Sequence, residues 1–241
     1  MGIFSLKKVI EQKQFPTDFD ELHRSVYSKV KPYTMTSAER IFGLMEAIKY
    51  LSRNNIEGDV VECGVWKGGS MMAAAITLIN EKNDNRNIYM YDTYEGMSAP
   101  TENDKTFSGE PASKMLKAED RKKNPDSIWC YSSLAEVQTT MKLSGYNETL
   151  IHYVKGKVED SIPKTLPGNI ALLRLDTDWY ESTKHELVHL FPLLVKGGVL
   201  IIDDYGFWKG ARKAVDEYIV ESNIKILLNR MDDTGRIALK Q

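Results

Sequence analysis

Cysteine is nearly absent from this chain. Cys63 and Cys130 are the two in 241 residues, so no disulfide framework holds the fold. Long apolar runs are missing as well. No stretch approaches the roughly 18 residues that a membrane-spanning helix needs. The first residues, Met1-Gly-Ile-Phe-Ser-Leu-Lys-Lys8, lack the apolar core and cleavage site of a signal peptide. Neither sign of charge dominates. A formal net charge of −2 gives no reason to expect nucleic acid or an anionic membrane as a partner. What is left is the composition of an ordinary globular protein, 42% hydrophobic and 27% charged. The expected location is the cytoplasm.

The pattern along the chain predicts one domain over residues 1–241. Residues 1–55 form an N-terminal helical arm and cap, and 56–241 an α/β core. In the arm, Ile41, Leu44, Met45, Ile48 and Leu51 recur at helical spacing behind Ser37, a good cap. Strands are predicted at 58–62, 87–92, 150–154, 170–176 and 198–203, with helices between them. Two last strands, 225–229 and 236–240, flank Asp232-Asp-Thr-Gly235 and predict an antiparallel hairpin. The alternation gives a doubly wound, mostly parallel sheet of seven strands. Residues from about 98 to 127 carry Gly, Pro and many charges with weak periodicity, which suits a lid over a site.

Two acidic pairs end two of the apolar strands. Asp176-Thr177-Asp178 follows Ile170–Leu175, and Asp203-Asp204 follows Gly198–Ile202. Carboxyl ends of such strands border the crevice where open α/β sheets bind ligands. Four acids gathered there repel one another and call for a cation. Oxygen-only ligands favour Mg²⁺ over Zn²⁺. Strand-end aspartates also serve as plain helix caps, and that reading stands beside the metal reading.

Glu62-Cys-Gly-Val-Trp-Lys-Gly-Gly-Ser70 lies between a strand and a helix. Gly64, Gly68 and Gly69 permit a tight turn and close approach of a ligand, and the helix start offers free N–H groups. The segment is neither the GxGxxG of dinucleotide folds nor a phosphate loop. Asp92 ends the second strand, where an acid can accept both hydroxyls of a ribose. A glycine turn plus that acid suggests an adenosine-bearing ligand, although a structural turn and a helix-capping Asp read the same way. His185-Glu-Leu-Val-His189 matches the HExxH pattern of zinc hydrolases. No third ligand stands out, since only His23 and His152 remain among the histidines.

Five segments together are more specific than any one of them. They are Pro32–Ser37, Val61–Ser70, Tyr91–Gly96, Leu173–Thr183 and Gly197–Gly206. In combination they resemble the macrocin O-methyltransferase family, which includes mycinamicin and novobiocin sugar O-methyltransferases. The resemblance implies a Rossmann-like class I methyltransferase fold and S-adenosylmethionine- and Mg²⁺-dependent methyl transfer to a sugar hydroxyl. It implies Asp176, Asp203 and Asp204 as metal ligands and Asp178 as general base. Around the cofactor it places Met35, Thr36 and Ser37. It adds Glu62, Gly64, Trp66, Gly68, Gly69 and Ser70 from the turn, then Asp92, Thr93, Glu95, Gly96 and Asp176. It further implies a homo-oligomer, dimer or tetramer. Segment 98–127 matches nothing in the family pattern, so the acceptor stays open between a natural-product glycoside and a polysaccharide precursor such as a sugar nucleotide. Two competing classes are a zinc hydrolase using His185 and His189, and a silent nucleotide-binding protein of the same fold.

Overall fold

The computed structural model describes residues 15–119 and 127–241. Residues 1–14 of the expected arm and 120–126 of the expected lid lie outside them. Helix α1 (Glu21–Val30) starts at a capping box between Asp20 and His23. Helix α2 (Ala38–Arg53) starts where the Ser37 hydroxyl accepts the Arg40 N–H at 3.1 Å. Its apolar stripe, Ile41, Leu44, Met45, Ile48 and Leu51, is buried. Each such side chain contributes about 1.5–3 kcal/mol through burial.

The core follows as β1 (Asp59–Cys63), α3 (Gly69–Asn80), β2 (Ile88–Asp92), α4 (Ala112–Ala118), α5 (Leu134–Lys142) and β3 (Ile151–Lys155). After the short α6 (Val158–Ser161) come β4 (Ile170–Leu175), α7 (Tyr180–Leu190), β5 (Leu194–Ile202), α8 (Lys209–Glu221), β6 (Asn229–Arg230) and β7 (Arg236–Leu239). The strands form one seven-stranded sheet in the order β3-β2-β1-β4-β5-β7-β6. All pairs are parallel except β5–β7 and β7–β6. Central strands are buried on both faces, as parallel sheets require. Val60, Leu172, Val199 and Ile201 pack with α2 and α3, while Val61, Leu173, Leu200 and Ile202 pack with α7 and α8.

Three boundaries differ from the sequence reading. Strand β5 starts at Leu194, because Leu194 already pairs with Ile170 across an irregular register. The hairpin forms, but β6 is only Asn229–Arg230. Ile224, Ile226 and Leu228 pack against the core instead of continuing the ladder. The sequence pattern starts helix α7 at Ser182, and it begins two residues earlier, at Tyr180. No helix among the described residues is long and apolar enough to cross a membrane.

Strand order reverses between β1 and β4, which opens a crevice at their carboxyl ends. The ladder continues past the strand ends there. Gly64 N–H donates to the Tyr91 carbonyl at 2.9 Å, Asp176 N–H to Cys63 at 2.8 Å, and Asp203 N–H to Leu175 at 2.9 Å. Backbone pairing thus brings the glycine turn, Asp92 and both acidic pairs to one edge of the sheet.

Candidate active site

A cavity of about 440 Å³ opens at that edge. Met35, Thr36, Gly64, Trp66, Ser70, Asp92, Thr93 and Gly96 line it, together with Asp176, Asp178, Asp203 and Asp204. Five other expected cofactor residues do not reach its wall. Ser37 caps α2 and donates to Asp232 at 2.6 Å. Glu62 is buried against Arg174. Gly68 is the left-handed N-cap of α3, and Gly69 is packed against the Tyr33 carbonyl. Glu95 pairs with Lys155 at 2.9 Å.

The turn after β1 is held by Asp92. One carboxylate oxygen accepts the N–H groups of Val65 at 2.6 Å and Trp66 at 3.2 Å, and the other accepts Tyr94 N–H at 2.7 Å. Burial raises the Asp92 pKa, and these N–H donors oppose the rise. Asp92 therefore ties the loops after β1 and β2 together while its side chain borders the cavity. Gly64, at φ +83°, is glycine for a packing reason: a Cβ there would run into the Asp176 carbonyl. Trp66, Cys130 and Asp178 also line the cavity with left-handed backbone, at φ +48°, +46° and +69°. Such conformations cost free energy in non-glycine residues and gather at functional sites. The buried Trp66 Nε1 has no hydrogen-bond partner among the described residues, which fits a polar ligand atom in the cavity.

Arg174 organises the acids from beneath. It interrupts the apolar run of β4 and is 2% exposed. Its guanidinium meets Glu62 at 2.5 Å, Asp176 at 2.7 Å and Asp203 at 2.6 Å, and donates to Thr36 Oγ1 at 3.1 Å. Arg40 of α2 takes the other oxygen of Asp203 and pairs with Asp232 at 2.9 Å. Both Asp203 oxygens are thus engaged by arginines. Carboxylate oxygens of Asp176, Asp178 and Asp204 lie within 4.8 Å of one another instead. The family resemblance implies Asp176, Asp203 and Asp204 as the metal set; the structure groups Asp178 with Asp176 and Asp204, and Asp203 is turned to the arginines.

Electrostatics sharpen the contrast. Burial, with repulsion from neighbouring carboxylates, drives Asp176 and Asp204 well above the usual carboxylate range. Burial pushes Asp178 up to about 7, against a hydrogen bond from Asp204. One Asp204 oxygen is buried without a donor. Three crowded acids with an orphaned oxygen fit a divalent cation of the hard, oxygen-loving kind.

The apolar part of the wall was hidden in the sequence. Met97, Ser98, Met115, Ile128 and Cys130 come from segment 93–130, and Phe207 and Trp208 from the loop after β5. Gly156 and Lys157 add the loop after β3, and Val158 and Glu159 the start of α6. The HExxH residues are elsewhere. Glu186 is fully buried and accepts Thr177 Oγ1 at 2.9 Å, while His185 Nε2 is 2.9 Å from the Ile162 carbonyl. The grouping of potential metal ligands among the described residues contains neither histidine.

The profile of the macrocin O-methyltransferase (TylF) family matches residues 4–239. A tetracenomycin-rhamnosyl 4'-O-methyltransferase of Streptomyces olivaceus is 29% identical over 203 residues, covering 84% of this chain and 74% of its own. The mycinamicin III 3''-O-methyltransferase of Micromonospora griseorubida is 29% identical, over 84% and 76% of the two chains. Among solved structures, the O-methyltransferase NovP superposes with a TM-score of 0.75 at 26% identity, covering 87% of this chain and 82% of its own. The calicheamicin methyltransferase CalS11, 18% identical with a TM-score of 0.60 over 94% and 95% of the chains, shares the fold. The chain belongs to the macrocin O-methyltransferase family.

Proposed function

We propose that this protein is an S-adenosylmethionine- and Mg²⁺-dependent O-methyltransferase that acts on a hydroxyl of a sugar carried by an uncharged, partly apolar molecule. The observation that carries the reading is the half-buried Asp176–Asp178–Asp204 cluster at the strand switch point, facing the same cavity as the glycine turn and Asp92. The names of the relatives, methyltransferases of glycosylated natural products, support the sugar.

Asp176 and Asp204 would hold the cation, since Mg²⁺ often takes only one or two carboxylates. Asp203, already held by Arg174 and Arg40, is the less available acid. When bound, the cofactor supplies a sulfonium methyl and the cation supplies charge that acidifies an acceptor hydroxyl. Asp178 then accepts the hydroxyl proton on its carboxylate, a role suited to a pKa near neutrality. Arg174 and Arg40 keep the surrounding acids fixed, so alignment is prepared before the acceptor arrives. Trp208, Phe207, Met97 and Met115 exclude water from the acceptor side.

The lining also speaks to the acceptor. Among the described residues, Arg40 and Lys157 are the only cations of the wall, and Arg40 is already paired twice. Six acids share the wall: Asp92, Glu159, Asp176, Asp178, Asp203 and Asp204. A sugar diphosphate would meet repulsion there, whereas Met97, Met115, Ile128, Phe207 and Trp208 suit an apolar aglycone. The family resemblance further suggests a homo-oligomer, which light scattering would test. Calorimetry with S-adenosylhomocysteine and Mn²⁺ tests the site itself. Binding of both is expected; a folded protein that binds neither would overturn the assignment.

A further inference from the structure

The acceptor-side segment between β2 and α4 is tied to the carboxylate cluster through one buried acid. Asp104 has no exposed surface. One carboxylate oxygen accepts the Tyr180 N–H at 2.8 Å, and the other accepts Thr101 N–H at 2.6 Å and Thr101 Oγ1 at 3.0 Å. Its own carbonyl accepts the Ala112 N–H at 2.9 Å, where α4 begins. Tyr180 is the first residue of α7, and the helix's own N-cap, Trp179, makes no side-chain capping bond. A residue 76 positions away in sequence therefore caps α7. Two residues before Tyr180 stands Asp178, in the left-handed conformation at φ +69°. The turn is clamped from both sides. Glu186 holds Thr177 at 2.9 Å, and Trp179 Nε1 donates to the Ser98 carbonyl at 3.1 Å.

Gly210 of α8 completes the device. Its backbone is not left-handed, so conformation does not demand glycine. A Cβ there would occupy the place of the Asp104 carboxylate oxygen and lie 3.1 Å from Tyr180 N. Glycine at 210 leaves the room that Asp104 needs to reach α7.

We infer that Asp104 is a positioning residue for Asp178, and that the wall carrying Ser98 and Met115 moves as one unit with the carboxylate turn. A molecule seated on that wall would thereby set the place of the base. The functional half of this inference rests on the proposed metal and base roles, but the mechanical half does not.

The test compares Asp104→Ala, Asp104→Asn and Gly210→Ala with the parent protein. Backbone hydrogen exchange over residues 176–183 reads the mechanical link, and Mn²⁺ and S-adenosylhomocysteine titrations read its reach. In Asp104→Ala and Gly210→Ala, exchange in this turn should rise by about tenfold, in keeping with loss of a helix cap. Mn²⁺ should bind about tenfold more weakly, while S-adenosylhomocysteine affinity stays within a factor of about two. Asp104→Asn keeps an oxygen for Tyr180 N–H and should stay closer to the parent in exchange than Asp104→Ala. Unchanged exchange in folded Asp104→Ala, or a fall in S-adenosylhomocysteine affinity as large as that for Mn²⁺, would overturn the inference. A parent protein that ignores Mn²⁺ would defeat the metal reading alone, and the exchange comparison would still decide the role of Asp104.

Discussion

Arg174 and Asp203 form a buried ion pair, 2.6 Å between Nη2 and Oδ1, with side chains 2% and 5% exposed. Arg40 claims the remaining Asp203 oxygen. Asp203 and Asp204 are thus neighbours with different duties. Asp203→Asn leaves two arginines short of a counter-charge, and breaking a buried pair typically costs about 3–5 kcal/mol. Asp204→Asn leaves that network whole and should lower Mn²⁺ affinity far more than stability. Denaturant unfolding and Mn²⁺ titration of both variants check this. Equal stability losses would contradict it.

Asp178 lies close to Asp204 but outside the arginine network. Asp178→Asn keeps its shape and loses its capacity to take a proton. Its methyl-transfer rate should fall by roughly 10²–10⁴-fold, the usual contribution of a general base, with cofactor affinity retained. A near-normal rate would remove Asp178 from this role.

Asp92 holds the glycine turn. Its carboxylate satisfies the N–H groups of Val65, Trp66 and Tyr94, so Asp92→Ala frees three buried donors and loosens the glycine turn. Cofactor binding should weaken by at least about 1–3 kcal/mol, the cost of leaving buried polar groups unpaired. Calorimetry on the folded variant gives the answer, and an unchanged affinity would count against the role.

Stability without metal should depend on pH in a specific sense. Asp178 and Glu62 are both pushed up to about 7 by burial. Each binds its proton more tightly in the folded than in the unfolded chain. Their stabilisation is full below the unfolded carboxylate range and is lost as pH rises through about 7. The metal-free protein should therefore melt higher near pH 5 than near pH 8. Added Mg²⁺ should raise the melting point more at the higher pH. Thermal unfolding at both values, with and without Mg²⁺, decides it; no pH difference in the metal-free protein would contradict the burial argument.

How far could the sequence go? The glycine turn, the acids at strand ends and the alternation of elements are local signals, and they placed the sheet and its rim. Arg174 was readable only as a break in an apolar strand, since its partners Glu62 and Asp203 come from other strands. Asp104 and Tyr180 are separated by 76 positions, and no local pattern joins them. Leu194 begins β5 although the sequence pattern starts that strand at Gly198, because Leu194 already pairs with Ile170. Residues 225–228 look like a strand, yet no strand among the described residues pairs with them and β6 shrinks to Asn229–Arg230.

The HExxH spacing makes a clean counter-test. Glu186 points to Thr177, and His185 to the Ile162 carbonyl. Replacing His185 and His189 together with alanine should leave turnover nearly intact. Loss of activity together with loss of bound zinc would revive the hydrolase reading.

The central claim is metal-assisted methyl transfer to a sugar hydroxyl. Its most direct measurement follows S-adenosylhomocysteine formation with a panel of neutral glycosides and sugar nucleotides, in Mg²⁺ and in EDTA. The account predicts turnover of a glycoside in Mg²⁺, its loss in EDTA and its recovery when Mg²⁺ is restored. Full turnover in EDTA would contradict the metal site, and preference for a sugar diphosphate would contradict the reading of the cavity wall.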